Sequence, residues 1–89
     1  MKVYNMTSSR GNKVPNQFII YDKKGTYFQS YNSIIVFRNN KGQTYLDEHY
    51  WDYSTTTGKY RNQFLDDWGI EETREKIASG EYKLKNLNK

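Results

Sequence analysis

Eighty-nine residues with one proline and no long polar tract fit one compact domain, residues 1–89, near the lower size limit for folding unaided. The lack of cysteine excludes disulfides and thiolate metal sites, and no apolar run is long enough for a secretion signal or a membrane span, so a cytoplasmic protein with no membrane partner is expected. A formal charge of +4 is compatible with nucleic acid or with an acidic protein partner and selects neither.

Aliphatic residues are few, while nine tyrosines, four phenylalanines and two tryptophans must supply much of the buried area. Val3 and Tyr4 predict a short first strand, and the polar stretch Thr7 to Lys13 a loop. After Pro15, the β-branched and aromatic run Asn16 to Tyr21 predicts a strand, with Asp22-Lys23-Lys24-Gly25 as a hairpin turn into Thr26–Ser30. Tyr31-Asn32-Ser33 makes the next connection, into Ile34–Arg38, the most apolar run and hence a central strand. Asn39-Asn40-Lys41-Gly42 is a second strong turn, and Gln43 to Tyr50 returns as a strand at an edge or with one solvated face.

The period then changes. Tyr60, Phe64 and Trp68 recur every fourth residue with Leu65 beside them, which predicts an aromatic stripe docking a helix whose other side carries Arg61, Asn62 and Asp66 and which Gly69 ends. Glu71 to Ser79 predicts a second short helix closed by Gly80, and Tyr82, Leu84 and Leu87 a final strand or extended tail. The expected fold is α+β: a small antiparallel β-sheet, a meander, with two short C-terminal helices packed on one face.

The stretch Thr55-Thr56-Thr57-Gly58-Lys59 raises the question of a phosphate loop. A nucleotide-binding P-loop needs a glycine where Tyr53 stands and a metal-binding hydroxyl where Tyr60 stands, so that motif is absent. A threonine among Thr55 to Thr57 capping the helix that follows accounts for the pattern. A functional layer on this cap is expected at one end of the meander, where Ser8, Ser9, Arg10, Gly11, Lys13, Thr55, Thr56, Thr57, Lys59 and Arg61 would gather beside a helix N-terminus, with the lysine turns at 23–24 and 41 at the other end.

Other constellations carry less. Asp47 and His49 share one strand face but lack the third ligand a zinc site needs, and a lone histidine with no marked serine argues against hydrolysis. Asp66, Asp67, Glu71 and Glu72 read as a solvated acidic face between the helices. Tyrosines interleaved with Lys and Arg fit single-stranded nucleic acid, and equally fit a core built from aromatic rings.

The segments VPNQFIIY, YFQSYNSII, WDYSTTTGKYRNQFL and IASGEYKLKNLN, in this order and spacing, resemble a family of short uncharacterised proteins encoded by bacteriophages and related mobile elements. The segment Asp66 to Ile70 departs from it in being longer and more acidic. The resemblance implies a phage-associated origin and a host cytoplasm, and brings no catalytic residue, metal or cofactor with it. Blocking a host defence machine is a recurrent role of such proteins. The expectation is therefore a non-enzymatic protein that engages a host protein effector, anti-CRISPR inhibition being one form. The alternative is binding of single-stranded nucleic acid or a phosphate ligand through the basic loops.

Overall fold

Turns that hold asparagine, aspartate or glycine separate the first five apolar segments, and each segment folds back on the one before it. In the computed structural model, which describes residues 1–89, these segments are β1 (Lys2–Thr7), β2 (Lys13–Asp22), β3 (Gly25–Ser30), β4 (Ser33–Asn39) and β5 (Thr44–Asp47), each antiparallel to its neighbour. Two helices follow, α1 (Thr55–Leu65) and α2 (Ile70–Ser79), and β6 (Tyr82–Lys85) then joins the sheet edge parallel to β5. Strands lie in sequence order. The architecture is the α+β meander expected, extended by one strand that the helical crossover makes parallel.

Local chemistry makes the turns. The Asp22 carboxylate accepts the amides of Lys24 at 2.8 Å and Gly25 at 3.2 Å, and the Asn39 side chain does the same for Lys41 and Gln43, both at 3.0 Å. The two lysine turns share an end of the sheet, where the Asn40 amide donates to the Lys23 carbonyl at 2.7 Å.

Alternation along the strands sorts the sheet into two faces. Ile19, Phe28, Val36 and Leu46 lie side by side across β2 to β5, and the last three are fully buried. A bulge in β4 moves the pairing from Val36 with Phe28 to Ile34 with Gln29, which lets the sequence neighbours Ile35 and Val36 both be buried. Both helices cover this face: Tyr60 and Leu65 are buried in it, Phe64 stacks on Phe28 with ring centroids 5.9 Å apart, and α2 lies over Tyr82.

Five expectations need correction here. The cap of α1 is Ser54, whose hydroxyl accepts the Thr57 amide at 3.1 Å, and not one of the threonines. The helix stops at Leu65, because Asp66 turns into the left-handed region at φ 60° and its amide closes on Asn62 and Gln63. Trp68 therefore leaves the stripe and stands 97% exposed in the turn between the helices. Arg61 is on the inward side of α1, buried along with Thr57 and Leu65, where a solvated position was expected. Asp67 is buried too, bonded to Lys76, Thr73 and Tyr82, so the acidic cluster is not one solvated face.

Candidate functional site

The sheet's second face carries no helix. One row crosses all six strands there, Val3, Ile20, Tyr27, Phe37, Tyr45 and Lys83 in register. The Tyr27 and Phe37 rings stack with centroids 4.7 Å apart, and Phe37 and Tyr45 with centroids 6.2 Å apart. The Lys85 ammonium lies 5.4 Å from the centre of the Tyr45 ring and closes the row on the β6 side. At the turn end, burial first and Asp22 second raise the Tyr27 phenol above its ordinary pKa. The sequence holds a signal for this row, since Tyr27, Phe37 and Tyr45 each adjoin an inward residue, Phe28, Val36 and Leu46. Assigning most rings to one core hides it.

The end-of-sheet cluster read from the sequence divides in two. Ser8 turns its hydroxyl on its own loop, accepting the amides of Arg10 and Asn12, both at 3.3 Å. Ser9, Arg10 and Lys13 are exposed beside it. No hydrogen bond, ion pair or common cavity joins that loop to Thr56, Lys59 or Arg61; Gln63 of α1 ties its base down instead, through the Thr7 carbonyl at 3.0 Å. Thr57 is fully buried in a chain of hydroxyls, 3.1 Å from Ser54 and 2.9 Å from Ser30, while Thr56 and Lys59 face solvent.

Arg61 is the unusual member. Its guanidinium donates to the Trp51 carbonyl and to the Asn62 side chain, and lies 5.5 Å from the centre of the Trp51 ring. Burial lowers its pKa from the ordinary arginine value, against the opposing pull of Asp52 and Asp67. It borders a cavity of about 540 Å³ together with Lys59 and Arg74. The only carboxylate lining that cavity is Asp52, 3.7 Å from Arg74.

Asp47 and His49 do not act together. The buried Asp47 carboxylate accepts the amides of His49, Tyr50 and Leu87, and these bonds overcome the effect of burial and hold it below the usual carboxylate range. The His49 ring is exposed in the turn after β5, 3.7 Å from Glu48.

Fold and surfaces together define a small α+β domain with a one-sided sheet, its helices on one face and an aromatic row on the other. The chain belongs to DUF8033, a family of unknown function whose model matches residues 1–80. No curated protein and no solved structure matches it. No helix is long and apolar enough to cross a membrane.

Proposed function

We propose that the chain is a non-enzymatic binding protein that engages a protein partner through the open face of its sheet. The stacked row Tyr27, Phe37 and Tyr45 carries this reading. Bases bind single-strand proteins by lying on free ring faces, and here Phe37 lies between Tyr27 and Tyr45 while Lys85 lies over Tyr45. A stacked row of two tyrosines and a phenylalanine is suited to packing against protein side chains. Lys83 and Lys85 at the rim favour an acidic border on the partner, and they oppose a second copy of this basic chain.

The resemblance of the four segments VPNQFIIY, YFQSYNSII, WDYSTTTGKYRNQFL and IASGEYKLKNLN to phage proteins extends the reading to a host protein effector in the host cytoplasm, with inhibition of a defence system as the role. Affinity purification with crosslinking from host cells tests it, comparing the wild type with Phe37→Glu and with the loop double variant Lys59→Ala/Arg10→Ala. A protein captured by the wild type and by the loop variant, and lost with a folded Phe37→Glu, is the expected result. Capture that survives Phe37→Glu overturns the open face. Retardation of single-stranded DNA or RNA at low salt, abolished by Phe37→Glu, would replace the protein partner with nucleic acid.

A further inference from the structure

We infer that the cavity between the first turn of α1 and α2 is a site for a phosphate group, gripped by Lys59 and Arg74 over the buried guanidinium of Arg61. The cavity lies on the helical side of the molecule and is independent of the open sheet face. Its walls also carry Ser54 and Thr55. Three cations there share one lining carboxylate, Asp52, 3.7 Å from Arg74; Glu71, outside the walls, holds the other arm of Arg74 at 3.2 Å, so Lys59 and Arg61 are the cations without a carboxylate in contact. Asp67, the other acid whose charge reaches Arg61, is engaged by Lys76 at 2.9 Å.

Arg61 separates this cavity from an ordinary polar cleft at a helix start. Its side chain is 1% exposed, its Nε meets no acceptor, and no carboxylate lies within 4.0 Å of it. Both acceptors it does have, a backbone carbonyl and an amide oxygen, are neutral. A full charge held out of water with no carboxylate in contact is costly, and its field is weakly screened. An anion in the adjoining cavity supplies a closer counter-charge than Asp52 or Asp67. Gly58 leaves the way open, since a Cβ there would sit 3.6 Å from both terminal nitrogens of Arg61. Ser54 caps the Thr57 amide only, so the amides of Thr55 and Thr56 at the helix start lack intrahelical partners, and Thr55 lies in the cavity wall. Cations and a helix-start amide lining one cavity suit a dianion with three free oxygens better than a carboxylate.

Titration of the isotope-labelled chain with inorganic phosphate, followed by amide and arginine Nε–H resonances against sodium chloride of equal ionic strength, tests the assignment. Saturable shifts at Thr55, Thr56, Gly58 and Arg61 are expected. Affinity should fall about tenfold in Arg74→Gln and again in Lys59→Gln, both exposed positions, as a charge-assisted contact is lost each time. Gly58→Ala, which keeps every charge, should weaken binding too, and Lys41→Gln at the far end should not. A nucleoside monophosphate run in parallel identifies the source: tighter binding than inorganic phosphate assigns a phosphate ester, equal binding the free anion. Shifts that chloride reproduces, that do not saturate, or that Lys41→Gln weakens as much as Arg74→Gln overturn the site.

Discussion

The Tyr82 phenol donates to the Asp67 carboxylate, 3.0 Å from Oδ1, and so fastens the turn between the helices to the last strand of the sheet. Thr73 donates to the same carboxylate at 2.8 Å and Lys76 at 2.9 Å. Burial alone would raise the Asp67 pKa, but these three donors outweigh it and hold the carboxyl below its ordinary value. A carboxyl depressed by folding stabilises above its unfolded pKa of about 3.9 and loses that contribution as pH falls through the folded value. Tyr82, pushed up to about 12 by burial first and Asp67 second, has the opposite sign. Its contribution is complete below an unfolded pKa of about 10 and lost as pH rises through the folded one.

Denaturant unfolding across pH should therefore give a plateau that declines on both sides. Asp67→Ala lowers the plateau by about 2 kcal/mol, because it takes the acceptor away from two buried hydroxyls, while Glu72, 3.0 Å from Lys76, keeps the ammonium paired. It also makes the acid decline shallower, though not flat, since Asp47 is depressed as well. Tyr82→Phe costs about 1 kcal/mol and makes the alkaline decline shallower. Unaltered slopes in both variants would show that the network carries no pH dependence.

Gln17, in register with Ser30 on the covered face, is fully buried, and neither atom of its amide has a protein partner. A buried amide without partners costs its desolvation energy, which an apolar side chain of like volume avoids. Gln17→Met should stabilise by about 1–2 kcal/mol, seen as a higher urea midpoint with the slope unchanged. A lower midpoint contradicts this.

How far the sequence speaks depends on the range of the interaction concerned. The strands are legible because their turns are closed by residues two or three positions away, as Asp22 closes on Gly25 and Asn39 on Lys41. The end of α1 is not legible, because the aromatic period runs on past the point where Asp66 reverses the backbone and Asp67 turns inward to Tyr82, a partner fifteen positions away. The burial of Arg61 likewise rests on a carbonyl at Trp51 that no periodicity reveals. Tyr27, Phe37 and Tyr45 read as core or surface with equal ease until it is known which face the helices take. Of the basic cluster expected at one rim, Lys59 and Arg61 meet in one cavity, while Ser8, Ser9, Arg10 and Lys13 stay with their own loop.

Two glycines with positive φ should respond differently to the same methyl group. At Gly25, φ is +152° and a Cβ would stand 2.2 Å from the Arg38 carbonyl oxygen across the β3–β4 pair, so backbone must move to admit it. At Gly42, φ is +84° and a Cβ meets nothing within 4 Å. Gly42→Ala should then cost about 1 kcal/mol of backbone strain alone, and Gly25→Ala upwards of about 3 kcal/mol. Thermal unfolding of the two variants gives the order, and equal losses would mean that β3 shifts freely away from β4.

Trp68 tests both the fold and the choice of binding surface. Its ring is 97% exposed on the helical side, and the one bond it makes, from its backbone amide to Glu72 at 2.7 Å, does not involve the ring. Trp68→Ala should change stability by less than about 0.5 kcal/mol. Phe64→Ala, in the same expected stripe but stacked on Phe28 with Arg38 5.6 Å from its ring centre, should cost about 2–3 kcal/mol. Fluorescence separates the rings: iodide quenches the exposed Trp68, and Trp68→Ala leaves only the half-buried Trp51 beside Arg61, with bluer emission and weaker quenching. Because Trp68 lies on the face away from Phe37, its loss should leave partner capture intact. Capture that fails with Trp68→Ala and persists with Phe37→Glu would move the interface from the open sheet to the junction of the helices.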